Sequence, residues 1–123
     1  MPRRRAYPAA SQAYLAASAA RTTTGSGLAV TGWARDAGLA VTKLDVTAAS
    51  GTTPSLTVTI QDSPDGTTWT TRDTFAVKVA TGAETRPLPA GLSPLVRASW
   101  TITGTSPSVT FSVQIAASSA ALL

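Results

Sequence analysis

The sequence has no cysteine and no histidine. Without cysteine there can be no disulfide framework, no thiolate nucleophile and no zinc-finger spacing. Without histidine the chain lacks the commonest general base and metal ligand. Charge is also scarce. Asp, Glu, Lys and Arg make up 13% of residues, about half the usual share. The polar surface must therefore come from Thr, Ser and Gly, which suits strands with hydroxyl-lined outer faces. No run approaches the roughly 18–20 apolar residues needed to span a bilayer, so neither a membrane-spanning segment nor a membrane partner is expected.

The little charge present is unevenly placed. Ten Lys/Arg against six Asp/Glu leave a net +4. Arg3, Arg4, Arg5 and Arg21 account for that excess, with no acid among the first 24 residues. From Gly25 onward, Arg35, Lys43, Arg72, Lys78, Arg86 and Arg97 are balanced by Asp36, Asp45, Asp62, Asp65, Asp73 and Glu84. A basic arm on a neutral body is expected to dock onto something larger. The stretch from Ala6 to Ala17 holds Pro8, Ser11 and Gln12 and only one Leu, a poor match to a signal-peptide core, so no secretory signal is expected.

Three units are expected: an arm over 1–24, a β-domain over 25–118 and a tail over 119–123. In the arm, Pro8 at a first helical position, an Ala-rich run and a closing Arg21 predict a short helix. Thr22–Gly27 follows as a hinge. Beyond it the pattern has period two. Leu56, Val58 and Ile60 alternate with Thr and Gln, and so do Val96, Ala98, Trp100 and Ile102 with Arg97, Ser99 and Thr101. Val109, Phe111, Val113 and Ile115 follow the same rule, and Phe75, Val77 and Val79 extend it. Each predicts a half-buried strand. A phase slip between Leu39–Val41 and Leu44–Val46 predicts a bulge near Thr42–Lys43. The fold class expected is all-β: a single antiparallel β-sandwich, jelly-roll or Ig-like, of about seven or eight strands.

An internal echo runs through the β-region. Gly51–Gln61 aligns without gaps to Gly104–Gln114, with Gly, Thr, Pro, Ser, Thr and Gln identical. Either two hairpins converged on one turn chemistry, or the halves are related by a pseudo-twofold from duplication. In both cases each segment is expected to be the second strand of a hairpin, with Pro at the strand entrance.

Leu44–Trp69, followed by Val96–Val113, resembles small virion structural proteins of tailed bacteriophages. In these a strand, a Ser-Gly-Thr-x-Pro turn, a second strand and an Asp-Gly-x-Thr-Trp turn recur in that order. The resemblance covers residues 39–115 and leaves the arm outside. It implies a non-enzymatic capsid decoration (cement) protein located in the virion, on the capsid exterior. The implied partners are the major capsid protein or other virion subunits, and by analogy the chain would form a homotrimer. A tail, tail-fibre or head–tail connector module is the alternative within the virion. A carbohydrate- or surface-binding sandwich is the alternative outside it.

Candidate chemistry is sparse. Asp62-Ser-Pro-Asp65-Gly66 holds the only close acid pair but lacks the further ligands of a calcium loop. It reads as a turn in which Asp caps backbone N–H groups and Gly66 takes positive φ. No Ser sits in a Gly-x-Ser-x-Gly elbow. No catalytic residue, metal ligand or cofactor is expected. Trp100 is in phase with the core, and Trp69 is expected to pack across its hairpin. Trp33, in a loop, is the candidate contact tryptophan. Arg3, Arg4 and Arg5 would give a salt slope of only about −2.7 on duplex DNA, and the body has no basic face, so nucleic acid is not the expected partner. The arm instead fits an acidic protein surface. Tyr7, Tyr14 and Leu15 would hold it there by burial, worth roughly 1.5–3 kcal/mol apiece, while Arg3, Arg4, Arg5 and Arg21 steer. The apolar Ala116–Leu123 segment offers a second contact.

Overall fold

A computed structural model of the chain describes residues 12–31, 40–88 and 91–117. These residues form six strands: β1 (Gln12–Arg21), β2 (Gly25–Ser26), β3 (Ala40–Ser63), β4 (Thr70–Thr74), β5 (Gly82–Pro87) and β6 (Leu95–Ala117). All named pairings are antiparallel, and the described residues contain no helix. The protein is all-β, as its alternation predicts.

Two strands dominate, and neither can be straight. β3 has 24 residues, which at about 3.3 Å per residue would stretch roughly 80 Å. Trp100 and Phe111 lie on the same strand, where an extended chain would place them roughly 36 Å apart, yet their ring centroids are 5.3 Å apart. β6 therefore folds back on itself between them, and β3, paired with it along its length, folds with it. One hydrogen-bonded sheet becomes two facing layers around one core. The first layer runs β1, the second half of β6, the first half of β3, then β5. The second runs β2, the first half of β6, the second half of β3, then β4.

The corner is made by the echoed motif. Gly51, Thr53, Gly104 and Ser106 all have positive φ, at 105°, 48°, 125° and 49°. Thr52 pairs with Thr105, and the flanking pairs Ser50–Ser108 and Ser55–Thr103 exchange under the same offset, so a local twofold passes between Thr52 and Thr105. The packing is reciprocal. A Cβ on Gly51 would stand 2.5 Å from Ser106 O, and one on Gly104 would stand 2.7 Å from Thr53 O. Each glycine lets the other strand's turn lie directly on its backbone. The two segments are thus not hairpin second strands, as expected, but the continuations of β3 and β6 past a shared bend.

Inner faces follow the alternation. Leu56, Val58, Ile60, Val96, Ala98, Trp100, Ile102, Val109, Phe111, Val113 and Ile115 are all buried in a single core. Three further expectations are corrected. Thr42–Lys43 carries no bulge: Thr42 stays in phase with Leu44 and is buried, its hydroxyl donating to Arg86 O. The register shift falls instead between Val46 and Ala48. A hydroxyl that bonds a carbonyl costs the core little, so the phase is set by Ala40, Thr42 and Leu44, not by Val41. Phe75–Val79 does not alternate across a sheet face. Phe75 is buried, but Val77 and Val79 are exposed, and the segment is tied to β3 by a bond from Phe75 N to Val58 O and an isolated bridge from Lys78 to Leu56.

The third correction is the predicted arm helix. Gln12–Arg21 is a strand on the edge of β6. A helix of about 13 residues is marginal in water, whereas the edge of β6 from Val109 to Ala116 presents a row of backbone groups needing partners. Register shifts at Tyr14/Ala16 and Ala16/Ala19 let the consecutive Leu15 and Ala16 both reach the core. Alanine's helix preference is thereby overridden.

Because backbone fills the space at the corner glycines, Gly51→Ala and Gly104→Ala should each cost about 3 kcal/mol in urea unfolding. Gly91→Ala, at positive φ in open space, should cost only about 1 kcal/mol. Equal losses at all three would show that φ strain alone, not interlocking, shapes the corner.

Candidate docking surface

Where β1 leaves the first layer, its last residue turns inward. The Arg21 guanidinium carbon lies 4.5 Å from the Phe111 ring centroid and 4.8 Å from that of Trp100. The two rings meet edge to face at 77°. Nη1 donates to Phe111 O at 2.8 Å and Ala19 O at 3.2 Å, and Nη2 donates to Ala17 O at 2.7 Å. The bulge between Ala16 and Ala19 is what frees those alanine carbonyls. Burial pushes the Arg21 pKa down, and no carboxylate among the described residues forms an ion pair with it.

The next residues carry the chain from the first layer to the second. Trp100 Nε1 donates to Thr23 O at 3.2 Å, and Ile102 N donates to Thr24 Oγ1 at 3.0 Å. Gly25 then lies against the indole, and Gly27 N donates to Ala98 O. The expected hinge is a built crossover. Two grooves flank it. One, of about 470 Å³, lies between Tyr14, Leu15, Ala17, Leu28 and Trp100. The other is hydroxyl-lined, by Thr22, Thr23, Thr24 and Ser26. Arg21 borders both.

The expected contact residues therefore separate. Tyr14 is exposed at 58% and lines the apolar groove. Leu15 is core, and Arg21 is held by its own rings and carbonyls. Arg3, Arg4, Arg5, Tyr7 and Trp33 lie outside the described residues. Leu28, 86% exposed and lining the same groove, was missed because its Ser-Gly-Leu-Ala setting shows no period.

Other candidates are structural. Trp69 packs under Arg97, whose guanidinium carbon is 4.1 Å from the ring centroid and whose Nε donates to Gln61. Asp65 Oδ1 accepts from Thr67 N and Thr68 N, Ser63 Oγ accepts from Gly66 N, and Gly66 has φ 84°. This is the capped turn that the sequence predicts. Asp62 is buried, pairs with Arg72 at 3.0 Å and accepts from Ser93 N. Glu84 accepts from Lys78, Arg86 and Ala76 N, and Arg86 also pairs with Asp73, which ties β4 to β5.

The chain also has a distinctive end. Gln12 pairs with Ala116, Ala40 pairs with Ala117, and Leu88 N donates to Ala40 O at 2.9 Å. Gln12, Ala40, Leu88 and Ala117 therefore lie together at this end of the first layer, whereas Val30 bridges Val96 in the second layer.

No family model and no curated protein matches the chain. Among solved structures, that of PirA aligns with 86% of this chain and 90% of its own, at 13% identity and a TM-score of 0.44. The CBM22-1–GH10 modules of a Clostridium thermocellum endo-1,4-beta-D-xylanase, complexed with xylohexaose, align with 87% of this chain at 11% identity and a TM-score of 0.43. This chain spans 25% of that one. At these identities and scores neither likeness assigns a function. No helix among the described residues is long and apolar enough to cross a membrane.

Two outcomes test this electrostatic arrangement. Arg21→Ala should lower stability by about 2 kcal/mol, from the lost ring contacts and hydrogen bonds, and Arg21→Lys should recover part of it, both read by urea unfolding. Backbone donors hold Asp65, and Lys78 with Arg86 holds Glu84, below the usual carboxylate range. Depressed folded-state values mean stability is fully present above the unfolded values of about 4 and declines as pH falls below them. The thermal midpoint should therefore drop from pH 5 toward pH 3, and drop less in the double variant Asp65→Asn/Glu84→Gln.

Proposed function

We propose that this protein is a non-enzymatic structural component of a tailed-phage virion: a capsid decoration protein that docks on the major capsid lattice and clamps neighbouring subunits with its N-terminal arm. One observation carries the reading. The register Gln12–Ala116 and Ala40–Ala117 brings together, at one end of the body, the residues next in sequence to the basic segment 1–11 and to the apolar segment 118–123. The basic and the apolar segments are thus tethered at a common end. A folded body next to that face raises the effective concentration of the arm once the body has docked. The arginines would steer the encounter and the apolar groups would hold it.

Quantitative mass spectrometry of source virions tests this. A copy number near that of the major capsid subunit, or a simple fraction of it, is the expected result. A few copies per particle would move the protein to the tail or connector, and absence would overturn the virion reading and favour the surface-binding alternative. In reconstitution on undecorated shells, removal of residues 1–11 should weaken binding at least ten-fold while the body stays folded. Unchanged binding would remove the arm from the mechanism.

A further inference from the structure

Arg21 is a cation with unfinished bonding. A guanidinium has five N–H donors. Here Nη1 and Nη2 reach three carbonyls, while Nε makes no hydrogen bond among the described residues. Nor does any described carboxylate pair with it. Its position is held by Trp100 and Phe111, so the donor direction is set in advance. A half-buried charge without a counter-ion is costly, and a carboxylate is the group that best offsets the cost. Arg21 also lines both grooves, and the apolar one carries two of the four exposed large hydrophobic residues found among the described residues, Tyr14 and Leu28.

No acid lines either groove. None lies among the first 24 residues, and the remaining arginines of that segment precede β1, which begins two residues before Tyr14. The surface is apolar at its centre and positive at its margin. We infer that the groove between Tyr14 and Leu28 is a peptide-binding site for an extended acidic segment of the docking partner, with an apolar side chain between Tyr14 and Leu28 and a carboxylate on Arg21. This rests on the docking role proposed above and adds the chemistry of the partner.

The mode is side-chain capture and not strand addition. The shifts at Tyr14/Ala16 and Ala16/Ala19 break the regular edge of β1, and Arg21 already occupies the Ala17 and Ala19 carbonyls. A bulged edge with its acceptors taken does not template a ladder. The partner's specificity therefore comes from its acid and its apolar residue, and its affinity depends on ionic strength through Arg21.

The probe is the peptide acetyl-Leu-Glu-Leu-Asp-Leu-amide, compared with its amide counterpart acetyl-Leu-Gln-Leu-Asn-Leu-amide. Each is titrated into the ¹⁵N-labelled full chain while the Arg21 Nε–H and Trp100 Nε1–H resonances are followed. Saturable shifts of both resonances are expected with the acidic peptide, and binding at least five-fold weaker with the amide peptide. Leu28→Glu changes an exposed position, so it should leave the fold intact yet weaken the acidic peptide at least five-fold. Equal binding of the two peptides, or no movement of the Arg21 resonance, would overturn the site. Shell reconstitution separates the two readings. If Leu28→Glu decorates shells as well as the parent chain, the site is wrong and the decoration role stands. If the acidic peptide binds as expected but the chain is absent from virions, the site stands and its acidic partner belongs to another assembly.

Discussion

Two glycines resting on each other's strands hold this architecture together. β3 and β6 are each too long for a body of this size, and the pairing between them continues through the bend. A bend in one strand alone would break the ladder. Gly51 and Gly104 allow both strands to bend at the same level, with the turn backbone of each occupying the place where the other's side chain would be. The near-identity of the two motifs follows from that reciprocity, because each must meet the same steric demand across a local twofold. The two facing layers, the single core and the contact of Trp100 with Phe111 all depend on it.

Arg21 acts at the other side of this fold-back. Trp100 belongs to one layer and Phe111 to the other, and the guanidinium bridges the two rings while bonding the backbone of β1 and β6. One side chain thus connects the edge strand, both layers and the crossover. The same placement leaves Nε without a hydrogen bond among the described residues and puts a positive charge at the border of two grooves. Structural and recognition roles coincide because a cation held rigidly by aromatic faces is already oriented for an anion.

The two sides of the body are finished differently. On the β4–β5 side, Asp73, Lys78, Glu84 and Arg86 pair among themselves, which blunts that edge with charge. On the β1 side there is no acid, and the protection comes from bulges and from Arg21. Charge satisfied on one side and unsatisfied on the other gives the molecule a polarity that composition alone does not show. The proposed docking face lies on the unsatisfied side.

Much of the fold was legible. Period-two alternation located the inner faces at Leu56–Ile60, Val96–Ile102 and Val109–Ile115, because burial of one sheet face imposes that period locally. The capped turn at Asp65–Gly66 was legible for the same reason: its bonds span only a few residues. The fate of Gln12–Arg21 was not. An Ala-rich run satisfies helix rules by itself, and only the unpaired edge of β6, about ninety residues away in sequence, makes it a strand. The burial of Thr42, the closing of Arg21 over Trp100 and Phe111, and the groove between Tyr14 and Leu28 likewise arise from residues remote in the chain. The sequence by itself determined an all-β body with an acid-free basic beginning, since composition and alternation are local. Only the tertiary structure decided that β3 and β6 fold over together and where Arg21 points, since both rest on contacts between distant segments.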